Sequence, residues 1–448
     1  MIKDLDIFFI ILAMAIFGRG VSRRFRLWRM GKIENRSEKM WIRTKSVLVE
    51  GIAHKRILKD FYPGFLHLLL FFGFLLPLLF IIITQLVFTL PPFIARPLSL
   101  ALDIIAMATL LSLLLFIIRR YLTRPSRLDN KAEDFLPLLL ILLIILSGLF
   151  LEASRLSVTG KDAISWAPLG KVIASLLNSA GLNISDERLL AMILFRFHLF
   201  LVLGTIVYIP YSKLFHIISS PLNMIFRSLE PKGILSYINL EDEKAESFGV
   251  AKVEEFTWKQ LMDLDACTRC GRCQDHCPAH LSQKPLSPKK VILDLRDHMR
   301  SRIPEILRAR AEGKEPQEIP PLVGSVIDKD TLWACTTCRS CMEHCPVYVE
   351  HIDKIIDMRR FQVLMESKFP EELATAFKGL ERNSNPWGMG FEARADWVKE
   401  LDVPILAEAK EKNIDYLLFV GCIRSYDDRN KKVSKAMARI LNHLHLQF

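Results

Sequence analysis

Two cysteine runs carry the clearest chemistry in this 448-residue chain: Cys267-Thr-Arg-Cys270-Gly-Arg-Cys273-Gln-Asp-His-Cys277-Pro278 and Cys335-Thr-Thr-Cys338-Arg-Ser-Cys341-Met-Glu-His-Cys345-Pro346. Each has the spacing C-x2-C-x2-C-x3-C-P, in which three thiolates on a tight loop grip three irons of a cubane and the fourth, before proline, serves the other cluster. The spacing therefore predicts two [4Fe–4S] clusters, one on Cys267, Cys270, Cys273 and Cys345, the other on Cys335, Cys338, Cys341 and Cys277. Zinc takes four ligands in pairs and does not need two such runs. A secreted disulfide scaffold does not look like this either, and oxygen-sensitive clusters imply a reducing compartment. Of the nine cysteines, only Cys422 stands apart.

A second set of chemistry-bearing residues lies upstream, where Leu, Ile and Phe form long runs. Five runs, about 5–18, 62–84, 98–118, 135–153 and 189–211, are long and apolar enough to cross a bilayer as helices. The first lacks a basic leader and a small-residue cleavage site, which predicts an uncleaved anchor. Four histidines sit on the second and fifth runs or just beyond them: His54 and His67, then His198 and His216. Ionisable groups at membrane depth are costly and usually functional. Paired imidazoles on facing helices suit two axial ligands of a b-type haem; the bland reading is hydrogen bonding between helices for His67 and His198, and solvation at the interface for His54 and His216. The two spans run antiparallel, so His54 and His216 fall near one face and His67 and His198 deeper. On continuous helices the separations are about 20 Å and about 27 Å, and tilt or bends near Pro63 and Pro210 must absorb the difference. Arg196 is placed to meet a haem propionate or a quinone carbonyl, or else to snorkel outward.

The basic residues explain the net charge of +11. They crowd the links after spans one and three, which is the positive-inside pattern and not a nucleic-acid footprint. The N-terminus is expected outside an inner membrane, with the whole second half in the cytoplasm. Neither a G-x-G-x-x-G nor a Walker sequence occurs, so nucleotide binding finds no support.

Five spans with histidines on the second and fifth resemble the haem b gamma subunit of respiratory nitrate reductase over about residues 1–225. That family implies two haems b and a quinone as substrate. The stretches Cys267–Pro278 and Trp333–Pro346 resemble the iron–sulfur subunit of heterodisulfide reductase, and the resemblance continues through His351–Arg360 into Asp415-Tyr-Leu-Leu-Phe-Val-Gly421-Cys422. That last segment looks like the opening strand of a cysteine-rich CCG domain, whose Cys-Cys-Gly element does not follow before Phe448. The resemblance implies a truncated CCG domain or one supplied by a partner subunit, with Cys422 an orphaned ligand or a small buried residue. Fusions of this plan are similar to the electron-transfer-flavoprotein:menaquinone oxidoreductases.

The expected fold is mainly α: a five-helix membrane bundle (1–220), a linker (221–256), an α-helical ferredoxin domain (257–365), and a helical linker with the start of an α/β cysteine-rich domain (366–448). The expected function is electron transfer between a soluble cytoplasmic carrier, electron-transfer flavoprotein by resemblance, and membrane quinone. A thiol/disulfide oxidoreductase completed by a separate CCG chain is the competing enzyme; a membrane anchor or transporter with a sensory cluster domain is the alternative from another class.

Overall fold

The computed structural model describes residues 4–86, 91–159, 166–179, 188–243, 245–408 and 414–448. These form two compact units, 1–361 and 362–448.

In the first unit five helices are long and apolar enough to span a membrane. Span one is Asp4–Trp28, span two Phe61–Leu86, span three Pro92–Ile117, span four Ala132–Thr159 and span five Arg188–Tyr208. Spans two and three pack together, as do four and five, and one and five. Lipid supplies no hydrophobic drive between helices, so close approach depends on small residues and polar contacts. Gly73 is such a site: a Cβ there would collide with the Thr109 hydroxyl. That hydroxyl is held in place by the Ile105 carbonyl at 2.6 Å. Nearby, the Ser112 hydroxyl donates to the Leu66 carbonyl across the same pair of helices at 2.7 Å. Parts of the links after spans two and four (87–90, 160–165 and 180–187), expected to carry little positive charge, lie outside the described residues.

Span one is longer than its apolar run because its arginine-rich end stays helical. That end enters the core of the iron–sulfur region: Leu27 and Trp28 share one apolar cluster with Phe215, Met224, Leu261 and Leu295. The chain then turns, and Lys32 pairs with 256–258 through hydrogen bonds of 2.9 and 3.0 Å. Gly31 allows this approach, since a Cβ would sit 2.6 Å from the Phe256 carbonyl oxygen.

The helix Trp258–Ala266 begins with a Thr257/Gln260 capping box and is buried along most of its length despite its charges. Lys259 donates to Asp263 at 2.7 Å, as does Lys354, and Asp265 receives Arg24, Trp28 and Arg300 at 3.2, 3.0 and 2.7 Å. Buried charges survive because every partner is present. The segment between the two cysteine runs folds as the long helix Pro288–Ala311, started by Ser287, whose hydroxyl accepts from the Lys290 N–H. Residues 226–243 and 245–250, rich in turn formers, lie along this unit, with Arg360 donating to the Ser236 carbonyl at 2.6 Å and Val250 N–H to Asp357 O at 2.9 Å.

The second unit is built on the helices Glu371–Asn383 and Asp428–His443 with a small core of Trp397, Ala438 and Phe448. Its segment 417–420 alternates as a strand should: Leu417 and Phe419 are exposed, Leu418 and Val420 packed. No ladder forms on it among the described residues; only the Asp415 and Tyr416 N–H groups bond, both to Gln447 O. Among the described residues the expected α/β character is therefore limited to one extended segment, with no neighbouring strand paired to it.

Two outcomes follow. Gly73→Leu should force spans two and three apart and cost about 1–3 kcal/mol, seen as a lower Tm in detergent, whereas Gly204→Ala, whose Cβ meets nothing within 4 Å, should change Tm little. Burial would lift the Asp263 pKa, but the ammonium groups of Lys259 and Lys354 override it and hold the carboxyl well below its usual range. Its stabilisation is then complete above about pH 4, the unfolded carboxylate value, and fades as pH falls through the lower folded value. Asp263→Ala, which removes the carboxylate shared by Lys259 and Lys354 and leaves Lys259 only Glu350 at 3.7 Å, should cost about 3–5 kcal/mol at pH 7 and flatten that acid limb.

Candidate functional site

The eight cysteines of the two runs sort into two cavities. One is lined by Cys267, Cys270, Cys273 and Cys345, with Val347, Val349, Lys289 and His351. The other is lined by Cys335, Cys338, Cys341 and Cys277, with Leu286, Ile352 and Ile355. Each set thus takes three cysteines from one run and the fourth from the other.

The backbone explains how. In both runs the second residue after the first cysteine and the residue after the second cysteine have positive φ: Arg269 and Gly271 in one, Thr337 and Arg339 in the other. These left-handed positions curl each loop around its cavity, and a short helix then carries the third cysteine. The curl turns amides toward sulfur, with Thr337 N–H 3.4 Å from Cys335 Sγ and Val349 N–H 3.3 Å from Cys345 Sγ. His276 and His344, each just before its fourth cysteine, stack at 3.6 Å between the two halves. Burial pushes the thiols of Cys267, Cys273, Cys335 and Cys341 up and that of Cys345 up to about 12, so these sulfurs are poor free nucleophiles and become thiolates on metal binding. Among the described residues no three His, Cys, Asp or Glu converge on a single ion. Four sulfurs spread round one largely apolar cavity fit a cubane, and an iron–sulfur cluster supplies one-electron storage when bound.

Three of the four histidines meet. His54 Nε2 lies 2.9 Å from His67 Nδ1, and the His67 and His216 ring centres are 6.3 Å apart. His198 lies elsewhere on span five, where its Nδ1 meets the Ser147 hydroxyl at 2.8 Å beside Gly148. The expected separation of about 20 Å between His54 and His67 fails because His54 is not on span two. It sits at φ 56 in the turn after a π-helical segment, folded back over the start of span two. Pro63 makes no bend, lying in the first turn of that span. Pro210 does: the chain leaves span five through 3-10 turns before a new helix begins at His216. His54 and His216 each donate Nδ1–H to a backbone carbonyl, Ile52 and Lys213, at 2.9 Å. This leaves Nε2 as the ligating atom, the usual arrangement behind a metal-binding imidazole. Burial lowers both pKa values, which keeps the rings neutral at pH 7.

Arg196 faces Asp6 of span one at 3.8 Å. In the second unit, Arg394 reaches Cys422 Sγ at 3.6 Å, and Gly421 before it has φ 71. Sequence reasoning missed Arg56, Arg272 and Asn223, all buried. Arg56 stands two residues after His54 and Arg272 directly before Cys273, which was a weak positional signal; Asn223 offered none.

Residues 61–230 match the nitrate reductase gamma subunit family and residues 266–349 the 4Fe-4S dicluster domain family. The EtfAB:quinone oxidoreductase of Syntrophomonas wolfei is 34% identical over 98% of this chain and 66% of its own length. The probable iron-sulfur-binding oxidoreductase FadF of Bacillus subtilis is 34% identical over 100% of this chain and 69% of its own. The chain thus spans about two thirds of the length of these relatives. In Methanosarcina barkeri, one subunit of the dihydromethanophenazine:CoB–CoM heterodisulfide reductase is 32% identical over 44% of this chain and 45% of its own length. No solved structure matches the chain. Matched along its whole length by the first two, the chain belongs to their family of iron–sulfur oxidoreductases, a multi-pass membrane protein of electron transfer in which a nitrate reductase gamma-type region is fused to a 4Fe-4S dicluster region.

Proposed function

We propose that the chain exchanges electrons between a soluble carrier and the membrane quinone pool. Cys267, Cys270, Cys273 and Cys345 hold one [4Fe–4S] cluster; Cys335, Cys338, Cys341 and Cys277 hold the other. His54, His67, His198 and His216 are the ligands of two haems b through Nε2. For His54 this requires exchange of its present contact with His67. Arg196, two residues from His198, is placed to polarise a quinone carbonyl or hold a propionate. The iron–sulfur region faces the cytoplasm with the N-terminus outside, in keeping with the basic links after spans one and three, which lie on the iron–sulfur side of the first unit. Electron-transfer flavoprotein is the proposed carrier, since a relative of similar plan is named for EtfAB and quinone.

One observation carries the reading. The turn that bears His54 and the loop that bears Cys273 are hydrogen-bonded to each other, Arg272 donating to the carbonyls of Arg56 and Ile57 at 3.1 and 2.7 Å. A chain that merely anchored or sensed would have no need to press a cysteine loop onto a histidine turn.

The purified full chain should show b-type absorption on dithionite reduction and two [4Fe–4S] signals by low-temperature EPR. His216→Ala should remove about half of the haem while leaving both cluster signals. Cys270→Ser and Cys345→Ser should alter the same EPR signal, and Cys338→Ser the other. Absence of b-type absorption from membranes containing the chain sinks the conduit reading. A signal shared by Cys338→Ser and Cys345→Ser overturns the ligand sets.

A further inference from the structure

The two cysteine cavities are not equivalent in their surroundings. Every loop of the Cys267/Cys270/Cys273/Cys345 cavity is fastened to a segment at the end of a span: the links after spans one and three, the first turn of span four or the helix after span five. Arg269 pairs with Glu133. Gly271 lies so close to Arg127 that a Cβ would stand 2.6 Å from the Arg127 carbonyl oxygen, and Lys289, which lines the cavity, donates to that same oxygen at 2.9 Å. Arg272 holds the turn after His54 through the carbonyls of Arg56 and Ile57.

The fourth ligand, Cys345, is bracketed from both sides. Before it, Arg56 donates to the Met342 and Glu343 carbonyls at 2.7 and 2.6 Å and lies 3.8 Å over the Tyr348 ring. After it, the Asn223 side chain donates to the Val347 and Tyr348 carbonyls at 2.8 and 3.2 Å. Arg56 is two residues from His54, and Asn223 lies on the helix that begins at His216. Both segments leading from the membrane histidines thus end on the Cys345 turn.

The Cys335/Cys338/Cys341/Cys277 cavity looks outward. Thr336, Thr337 and Cys338 are exposed. Among the described residues, the hydrogen bonds of 331–338 run only to residues 285–359, chiefly through Arg359, which donates to the Leu332 and Cys335 carbonyls at 2.7 Å. Electron tunnelling rewards short, rigid contacts on one side and an accessible edge on the other.

The geometry points to an order: Cys267, Cys270, Cys273 and Cys345 form the inner centre, facing the histidines, and Cys335, Cys338, Cys341 and Cys277 form the outer centre, where a soluble one-electron donor or acceptor meets the chain. Arg56, Arg272 and Asn223 are positioning residues that hold the inner centre against the histidine segments. Each exchange moves one electron and no atom, the carrier losing what the chain gains or the reverse. The order rests on the ligand sets proposed above.

The test is the EPR relaxation of the two signals in the full chain in detergent, assigned by Cys338→Ser and Cys270→Ser. A soluble dysprosium chelate should raise the half-saturation power of the outer signal at least threefold and that of the inner signal less than twofold. Oxidised haem should enhance relaxation of the inner signal, and Arg272→Gln or Asn223→Ala should weaken that enhancement while leaving the dysprosium response of the outer signal unchanged; a merely structural loss would move both. A second measurement needs no variant: brief ferricyanide oxidation, then iodoacetamide and peptide mass spectrometry, should find Cys338 and Cys335 alkylated before Cys270 and Cys273. The reverse order in either experiment, or equal response of both signals, overturns the assignment. Loss of the haem or of either cluster signal from the unaltered chain would instead defeat the functional reading on which it rests.

Discussion

Asp263 and Asp265, two carboxylates buried on one short helix, hold together the part of the molecule on which the rest depends. Asp263 binds Lys259 and Lys354, and Asp265 binds Arg24, Trp28 and Arg300. Through them the helix Trp258–Ala266 joins the end of span one, the long helix Pro288–Ala311 and the helix that follows the second cysteine run. A buried carboxylate is tolerable only while all its cationic partners stay in place, so this arrangement admits little sliding. The helix ends at Ala266, and the next residue is the first cysteine. The cysteine loops are thus positioned by a charge network and not by the cavity itself.

The same logic governs the join between membrane and iron–sulfur regions. Apolar spans specify little about what sits at their ends, since one Leu-rich surface is much like another. Specificity comes from arginines at the join that find carbonyls on the other side of it: Arg43 on Ile225 and Arg227, Arg56 on Met342 and Glu343, Arg272 on Arg56 and Ile57. A planar guanidinium with five donors can satisfy several loop carbonyls at once. Arg43 and Arg56 also belong to the basic link after span one, so charges crowded there by the sequence pattern serve the registration of the two regions.

The π-helical segment Val47–Ile52 and the left-handed His54 belong to this join. A non-glycine residue at positive φ costs of order 1 kcal/mol, and histidine is among the side chains that tolerate it best. The conformation holds because the His54 ring and the turn after it are fixed independently, the ring by Ile52 and His67, the turn by Arg272. The result is an imidazole brought back over span two instead of lying a further turn and more beyond its end.

Cysteine spacing by itself predicted the two loops and that each would share its cavity with the last cysteine of the other run, because a cubane demands three near-neighbour thiolates and the proline stop sends the fourth elsewhere; the cavity linings agree. Length and apolarity determined the five spans, because backbone groups in lipid must be satisfied within a helix. The basic links were legible as a pattern of charge. Their individual partners were not, since a carbonyl acceptor leaves no mark in sequence: nothing about Asn223 or Arg56 announces that they bracket Cys345. Periodicity also misplaced His54, as a helix was extended through residues that in fact turn, and the apolar strand expected within Asp415–Cys422 is extended but pairs with no other strand among the described residues. Only the tertiary structure decided that His67 meets His54 and His216, and that one cysteine cavity faces the membrane histidines while the other opens outward. Those are long-range contacts, chosen by which buried polar groups can satisfy one another.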